Sequence, residues 1–446
     1  MKKGILIFMI LGLWSCDNSD DVTPETEAPT FLGELDWAKS FGGSGEDTAQ
    51  SVIHTLDGGY AVLGYTNSTD GDLTGKMLNV NDYWLLKLDA EGSLQWNRTY
   101  GGSKDDRGQS VVQTYDGGYA IVGYAMSDDG DGSNNEGFHD NWILRLDSNG
   151  NILWEKSFGF SGHDHSYDVV QTSDGGFFFS GFLDVTSSEG EGNSGKSPYL
   201  TRHGVGEFWG TRLDADGDLV WRRYFGGTNN DRSFGVVEAR DGGLVMVGAS
   251  ESDDFDVSDS KGSYDFWVVK VSAKGEMVWE KSFGGTGIDK AYAVVRTPDN
   301  AYAIAGNTFS VDTDISKNNG ESDVWLIKVS DTGELLWEKT YGGSTFDAAR
   351  GLGTTADGGF VIAGNSKSLD GHTSGNAGEN DLWVLKTDSE GNIIFEKSFG
   401  GPDLDFGFDA LEDNEGNLIL VGESTTAITP EMQHRGSSDM VVLKIK

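Results

Sequence analysis

Short apolar runs alternate with glycine-rich turns along most of the chain. Between residues 106 and 158 four such runs follow one another: GQSVVQT, GYAIVGY, NWILRLD and NILWEKSF. They are rich in β-branched and aromatic residues and are bounded by Gly, Asp, Asn or Ser, the pattern of β-strands joined by tight turns. In chain order these are strands A, B, C and D. The stretch that follows strand C and carries strand D, DAEGSLQWNRTYGGSKDD at 89–106, recurs in near-copies at 147–164, 214–231, 272–289, 330–347 and 388–405.

The repeat is counted on its aromatic-Gly-Gly motif. The aromatic residue is Phe41, Tyr100, Phe158, Phe225, Phe283, Tyr341 and Phe399, at spacings of 59, 58, 67, 58, 58 and 58. A fixed period of this size is the signature of a repeat architecture. Four residues earlier stands Trp37, Trp96, Trp154, Trp221, Trp279, Trp337 or Phe395. Sixteen residues later stands an Asp-Gly-Gly turn, or its degenerate forms Asp299-Asn300 and Glu415-Gly416. Asp-Gly between apolar runs predicts a hairpin, because glycine accepts the positive φ of the turn. Four antiparallel strands per period and seven periods predict an all-β, seven-bladed β-propeller. The fold opens with a D strand near Leu35–Phe41 and ends with a C strand near Met440–Ile445. The first strand therefore completes the last blade and closes the ring, which removes the open edges between first and last blades. A linear solenoid is the alternative.

The D-x-x-G-x-x-x-W pattern of Asp89, Gly92 and Trp96 resembles the tryptophan-docking motif of quinoprotein-type propellers, one residue shorter. That resemblance implies packing and carries no quinone. Over residues 35–446 the chain resembles a group of bacterial and archaeal extracellular repeat proteins with the consensus W-x-K-S/T-F/Y-G-G…D-G-G-Y/F…D-x-W. The resemblance implies a propeller-like fold and lends no activity.

The first 30 residues follow another pattern. Lys2 and Lys3 precede a short apolar run, Ile5–Leu13, which reads as a signal peptide over 1–15. Leu13-Trp14-Ser15-Cys16 resembles the lipobox of bacterial lipoproteins, with Trp14 as a departure. The resemblance implies that Cys16, the single cysteine, carries the lipid; a cleaved peptide with an incidental cysteine is the other reading. Residues 16–31 then form an acidic tether with Pro24 and Pro29, a composition that does not fold alone. An acidic run after the cysteine resembles the surface-export signal of Bacteroidota lipoproteins, which implies an outer-membrane, cell-surface location. The propeller occupies 32–446.

Composition narrows the partners. The 446 residues carry a formal net charge of -39, which argues against nucleic acid and against an anionic membrane surface, both of which call for basic protein. The lipid is then the one link to the membrane, and a monomeric protein that binds a glycan or an envelope or extracellular protein is expected.

The A–B and C–D turns are tight, whereas the B–C loops run to about 15 residues, and to 24 at Leu183–Gly206. Function is expected on the face where these long loops meet the D–A loops. An aspartate follows each aromatic-Gly-Gly by six residues: Asp47, Asp106, Asp164, Asp231, Asp289, Asp347 and Asp405. These either cap turns by accepting backbone N–H bonds or form an anionic ring at the channel mouth. The B–C loops space oxygens as a calcium loop does, at positions 1, 3, 5, 7 and 12. Blade 2 has Asp129, Asp131, Ser133, Asn135 and Asp140; blade 4 has Asp254, Asp256, Ser258, Ser260 and Asp265; blade 5 has Asp312, Asp314, Ser316, Asn318 and Asp323. Blade 6 has Asp370, Ser374, Asn376 and Asp381, with His372 in the second slot, and blade 1 a related run from Asp70. The departures are Asp at position 12 in place of Glu and the missing glycine at Asn134, Asp259 and Lys317. Asx turns that shape a loop are the alternative to calcium.

Blade 3 breaks the repeat. Phe160 replaces a glycine, His163 and His165 flank Asp164, and the long insertion carries Tyr199, Arg202 and His203 before Glu207. His139 belongs to the same face. These residues are expected to contact a partner or glycan, with zinc as a further use of two imidazoles and a carboxylate. A carbohydrate-active hydrolase or lyase needs a carboxylate pair, and 72 acidic residues single none out. An outer-membrane assembly scaffold is the third reading.

Overall fold

Among the residues that the computed structural model describes, 31–196 and 204–446, twenty-eight strands form seven antiparallel four-stranded sheets. Blade 2 is representative, with A at Asp106–Gln113, B at Tyr119–Ala125, C at Asp140–Leu146 and D at Ile152–Phe158. The A strand of each blade contacts that of the next, and the seventh contacts the first, so the blades form a ring. Leu35–Phe41 pairs antiparallel with Asp439–Ile445 and supplies the outer strand of blade 7. The expected seven-bladed propeller and its closure are thus present. Signal peptide, Cys16 and the tether through residue 30 lie outside the described residues, as do Tyr199, Arg202 and His203.

B and C strands are buried along nearly their whole length, while D strands stay half-exposed. Blades pack on both sides of the middle strands, which is why these strands read as continuous apolar runs. The C-strand tryptophans Trp84, Trp142, Trp209, Trp267, Trp325 and Trp383 are fully buried. The indole N–H of Trp142, Trp267, Trp325 and Trp383 donates to Glu155, Glu280, Glu338 and Glu396 on the neighbouring D strand. Burying the ring without that partner would leave an unsatisfied donor.

The D-strand tryptophans join blades. Trp37 lies against Gly92 in the C–D turn of the next blade, and Trp96, Trp154, Trp221, Trp279 and Trp337 lie in the same way against Gly150, Gly217, Gly275, Gly333 and Gly391. Phe395 meets Gly33 at the seam. A Cβ on Gly92 would stand 2.8 Å from the ring of Trp37, so only glycine lets the indole seat there.

The turn face has its own repeated lock. Lys87, Arg145, Arg212, Lys270 and Lys328, near the ends of the C strands, pair with Asp57, Asp116, Asp174, Asp241 and Asp299 in the A–B turns. The turn aspartates are partly exposed and the cations nearly buried, so the acid satisfies a cation that the blade has already desolvated.

Candidate functional site

The loop face is held by side-chain oxygens that accept from successive backbone N–H groups of each D–A loop. Between blades 4 and 5, Gly284 N donates to Asp314 (3.1 Å), Gly285 N to Asp289 (2.8 Å), Thr286 N to Asp312 (2.8 Å) and Gly287 N to Ser310 (2.9 Å). Asp129 and Asp131, Asp254 and Asp256, and Asp370 with His372 accept in the same way from the D–A loops beside them. The ring aspartates Asp47, Asp106, Asp164, Asp231, Asp289, Asp347 and Asp405 are buried and each accept one backbone N–H from the residue four positions earlier. Each capping carboxylate takes up N–H groups that a glycine-rich loop cannot pair by itself.

The other positions of the calcium-like spacing have separate partners. Ser133, Ser258 and Ser374 donate to the same Glu155, Glu280 and Glu396 that hold the indoles, and Ser316 occupies the equivalent place in blade 5. Asn135, Asn318 and Asn376 donate to carbonyls of Ala125, Thr308 and Ser366. Asp140, Asp265, Asp323 and Asp381 each accept the N–H of the residue four positions earlier. Position two of the motif has positive φ in every case: Gly71, Gly130, Phe255 (52°), Thr313 (63°) and Gly371. At the missing-glycine position Asn134 and Asp259 also have positive φ, a conformation that short polar side chains tolerate.

The position-12 acids do bring carboxylates together, across the blade junctions. A Cβ on Gly284 would lie 2.5 Å from Asp265 Oδ1 and 2.7 Å from Asp289 Oδ2. Gly42, Gly101, Gly226, Gly342 and Gly400 stand likewise between Asp439 and Asp47, Asp82 and Asp106, Glu207 and Asp231, Asp323 and Asp347, and Asp381 and Asp405. Asp140 crowds Gly159 in the remaining junction. The Oδ1 atoms of Asp82, Asp140, Asp265, Asp323, Asp381 and Asp439 are buried and have no hydrogen-bond partner. Burial pushes Asp82, Asp265 and Asp323 up to about 6, with the facing carboxylates adding to the rise.

The central channel has its own lining, outside the loop and turn motifs. Every A strand carries a register shift after its second or third residue, as between Ser166 and Asp168, Ala49 and Ser51 or Ala291 and Ala293. The bulged residues Gln50, Gln109, Tyr167, Phe234, Tyr292, Arg350 and Phe408 line one central cavity of about 190 Å³. A β-bulge re-aims a side chain, and here it aims one from each blade at the axis. Tyr167, Phe234 and Tyr292 contact in sequence at 5.1 Å, and Arg350 lies 4.1 Å over Tyr292. The signal was present in the sequence as a variable residue three positions after each ring aspartate.

At the junction of blades 2 and 3, His139, His163 and His165 converge. His139 Nδ1 lies 2.9 Å from His163 Nδ1 and 3.3 Å from His165 Nε2. Tyr124 stacks on His165 at 4.0 Å, and Phe138 on His163 at 5.1 Å. Burial, then His139, His163 and nearby arginines, push His165 down to about 3. Against the upward push of burial, His139, Asn81 and Arg107 hold Asp105 at about 2.

Each long loop of blades 1–6 also exposes a large apolar residue. These are Met77, Phe138, Val205, Phe255, Val311 and Leu369, with Phe255 68% and Leu369 79% exposed.

No family model matches the chain, and no curated protein sequence does. Solved structures similar to it include YCF48 bound to D1 peptide (11% identity, 93% of this chain and 97% of that one, TM-score 0.47). BamB from Moraxella catarrhalis is 15% identical over 91% of this chain and 85% of its own, with a TM-score of 0.39. Sqt1 from Chaetomium thermophilum is 11% identical over 94% and 100%, with a TM-score of 0.46. Likeness at this level of identity extends no further than the fold.

Proposed function

We propose that the chain is a non-enzymatic cell-envelope lipoprotein whose loop face binds a protein or glycan partner. The observation that carries this reading is the exposed apolar residue on each of six long loops that share one face. Single exposed apolar residues are ordinary, but one per loop at the rim of a rigid ring makes a shared contact surface. Phe255 adds weight, because a bulky residue at positive φ keeps strain that glycine bears in three sister loops.

On this reading Cys16 carries the lipid, residues 17–31 are the tether, and the propeller stands monomeric at the outer surface of the outer membrane. Calcium belongs at the paired aspartates of the junctions, where a buried unpartnered oxygen faces a second acid and a hard cation would offset their repulsion.

The test is to probe glycan arrays and blots of separated envelope proteins with the purified protein in calcium-containing buffer. Saturable retention of one glycan class or one protein, without release of reducing ends, supports the reading. Release of reducing ends overturns it in favour of a hydrolase, and retention of nothing by the folded protein also overturns it.

A further inference from the structure

The histidine trio is a local event in an otherwise regular ring. His139 stands one residue before the C-strand acid of blade 2, and His163 and His165 stand on either side of the ring aspartate of blade 3. The equivalent positions in the other six junctions are Asn81, Asp105 and Arg107; Gly206, Asn230 and Arg232; Tyr264, Ile288 and Lys290; Ser322, Phe346 and Ala348; Asn380, Leu404 and Phe406; and Ser438, Glu46 and Thr48. None is histidine, so the repeat scaffold does not require imidazole there. Three of the chain's seven histidines meet at one junction.

Hydrogen bonding does not account for the contact. An imidazole nitrogen has one in-plane direction, which holds either a proton or a lone pair. His139 Nδ1 faces two ring nitrogens, at 2.9 and 3.3 Å, and one proton can serve only one of them along that direction. A metal ion resolves the conflict by accepting all three lone pairs. In a tetrahedral zinc site with Zn–N of about 2.0–2.1 Å, ligand nitrogens stand about 3.3 Å apart, close to the separations seen here. His139 Nδ1, His163 Nδ1 and His165 Nε2 all lie within 4.8 Å of one another, and they are the one such group of His, Cys, Asp or Glu ligand atoms among the described residues.

The supporting contacts match a metal site. The far nitrogen of His139 is buried without a hydrogen bond and lies 3.7 Å from Asp105 Oδ2, a carboxylate able to orient a ligating imidazole. The far nitrogen of His165 meets Tyr167 Oη at 3.0 Å, and Tyr167 is a channel residue. Stacking on Tyr124 and Phe138 fixes the planes of His165 and His163. His163 is exposed, so the site opens to solvent.

We infer that His139, His163 and His165 bind one zinc-class divalent transition metal at the junction of blades 2 and 3, with a fourth position open to water or to a partner's side chain. Neutral imidazoles select zinc over calcium, so this site is chemically distinct from the oxygen-lined junctions. It does not depend on the partner-binding reading, since the metal binds in the protein's absence from any partner.

The experiment is calorimetric titration of the purified, chelator-stripped protein with zinc chloride, together with the visible spectrum of the cobalt(II) form. One zinc per chain at micromolar or tighter affinity, with the strong visible bands of tetrahedral cobalt, is expected. His163→Ala and, separately, His139→Asn should each weaken binding at least tenfold and erase those bands, while His54→Ala, remote on the A strand of blade 1, should change neither. Circular dichroism melts establish that each variant is folded. Absence of zinc binding by the folded wild type, or binding unchanged in both trio variants, overturns the inference.

Discussion

Asp265 Oδ1 and Asp289 Oδ2 approach the α-carbon of Gly284 from two adjacent blades, so close that a Cβ there would meet them at 2.5 and 2.7 Å. The first glycine of the aromatic-Gly-Gly motif is therefore glycine because two buried acids occupy the space of a side chain. Gly284→Ala should destabilise the protein by about 1–3 kcal/mol through overpacking. Gly242→Ala, where φ is 77° but nothing lies within 4 Å, should lose only about 1–2 kcal/mol, from the left-handed backbone alone. Urea melts of the two variants compare the mechanisms.

The same pairs set a pH dependence. Burial raises Asp82, Asp265 and Asp323 to about 6 in the folded state, above the ordinary carboxylate value near 4. The folded state then holds protons that the unfolded chain releases. Their contribution is complete below about pH 4 and is lost as pH rises through about 6. Melting temperature in chelator should fall between pH 5 and pH 8; a rise over that interval would contradict the account.

Calcium should act where the proton leaves. Millimolar calcium is expected to raise the melting temperature at pH 8 and to raise it much less at pH 5, where the pairs hold protons. Equal gains at both values would detach calcium from the carboxylate pairs.

Phe255 separates stability from binding. Replacing it with glycine removes left-handed strain and adds unfolded-chain entropy, so stability should stay level or rise by up to about 1 kcal/mol. Partner binding should weaken at the same time. A variant that binds as well as wild type would remove Phe255 from the contact surface.

Ring closure is testable by deletion. Without Leu35–Phe41 the strand Asp439–Ile445 loses its paired neighbour, and Phe395 loses Gly33 if the cut extends to it. The exposed edge should drive self-association, seen as oligomers in size exclusion.

The fold was legible because its signals are local and repeated. Asp57-Gly58 marks a hairpin by itself, and six aromatic-Gly-Gly motifs with the variant Phe158-Gly159-Phe160 count the blades. The channel was not legible, because a β-bulge at Gln50 or Tyr292 leaves the alternation of its strand looking regular. The loop spacing from Asp129 to Asp140 was visible, but not its wiring. Asp129 and Asp131 accept from Ser103 and Gly101, while Asp140 turns its free oxygen toward Gly159 at the end of its own blade's D strand. Residues far apart in sequence make those contacts, and spacing alone carries no information about them. His139 meets His163 and His165 for the same reason: the junction of two blades brings the end of one blade's long loop against the D–A loop that lies about two dozen residues further on.

The most direct test of the binding face compares two sets of substitutions in the purified protein against isolated cell envelopes. One set is Met77→Ser, Phe138→Ser, Phe255→Gly and Leu369→Ser on the long loops; the other is Leu56→Ser and Tyr115→Ser on the A–B turns. The account predicts that the loop set abolishes saturable binding while the turn set binds as wild type. Loss in the turn set with binding kept in the loop set would contradict it.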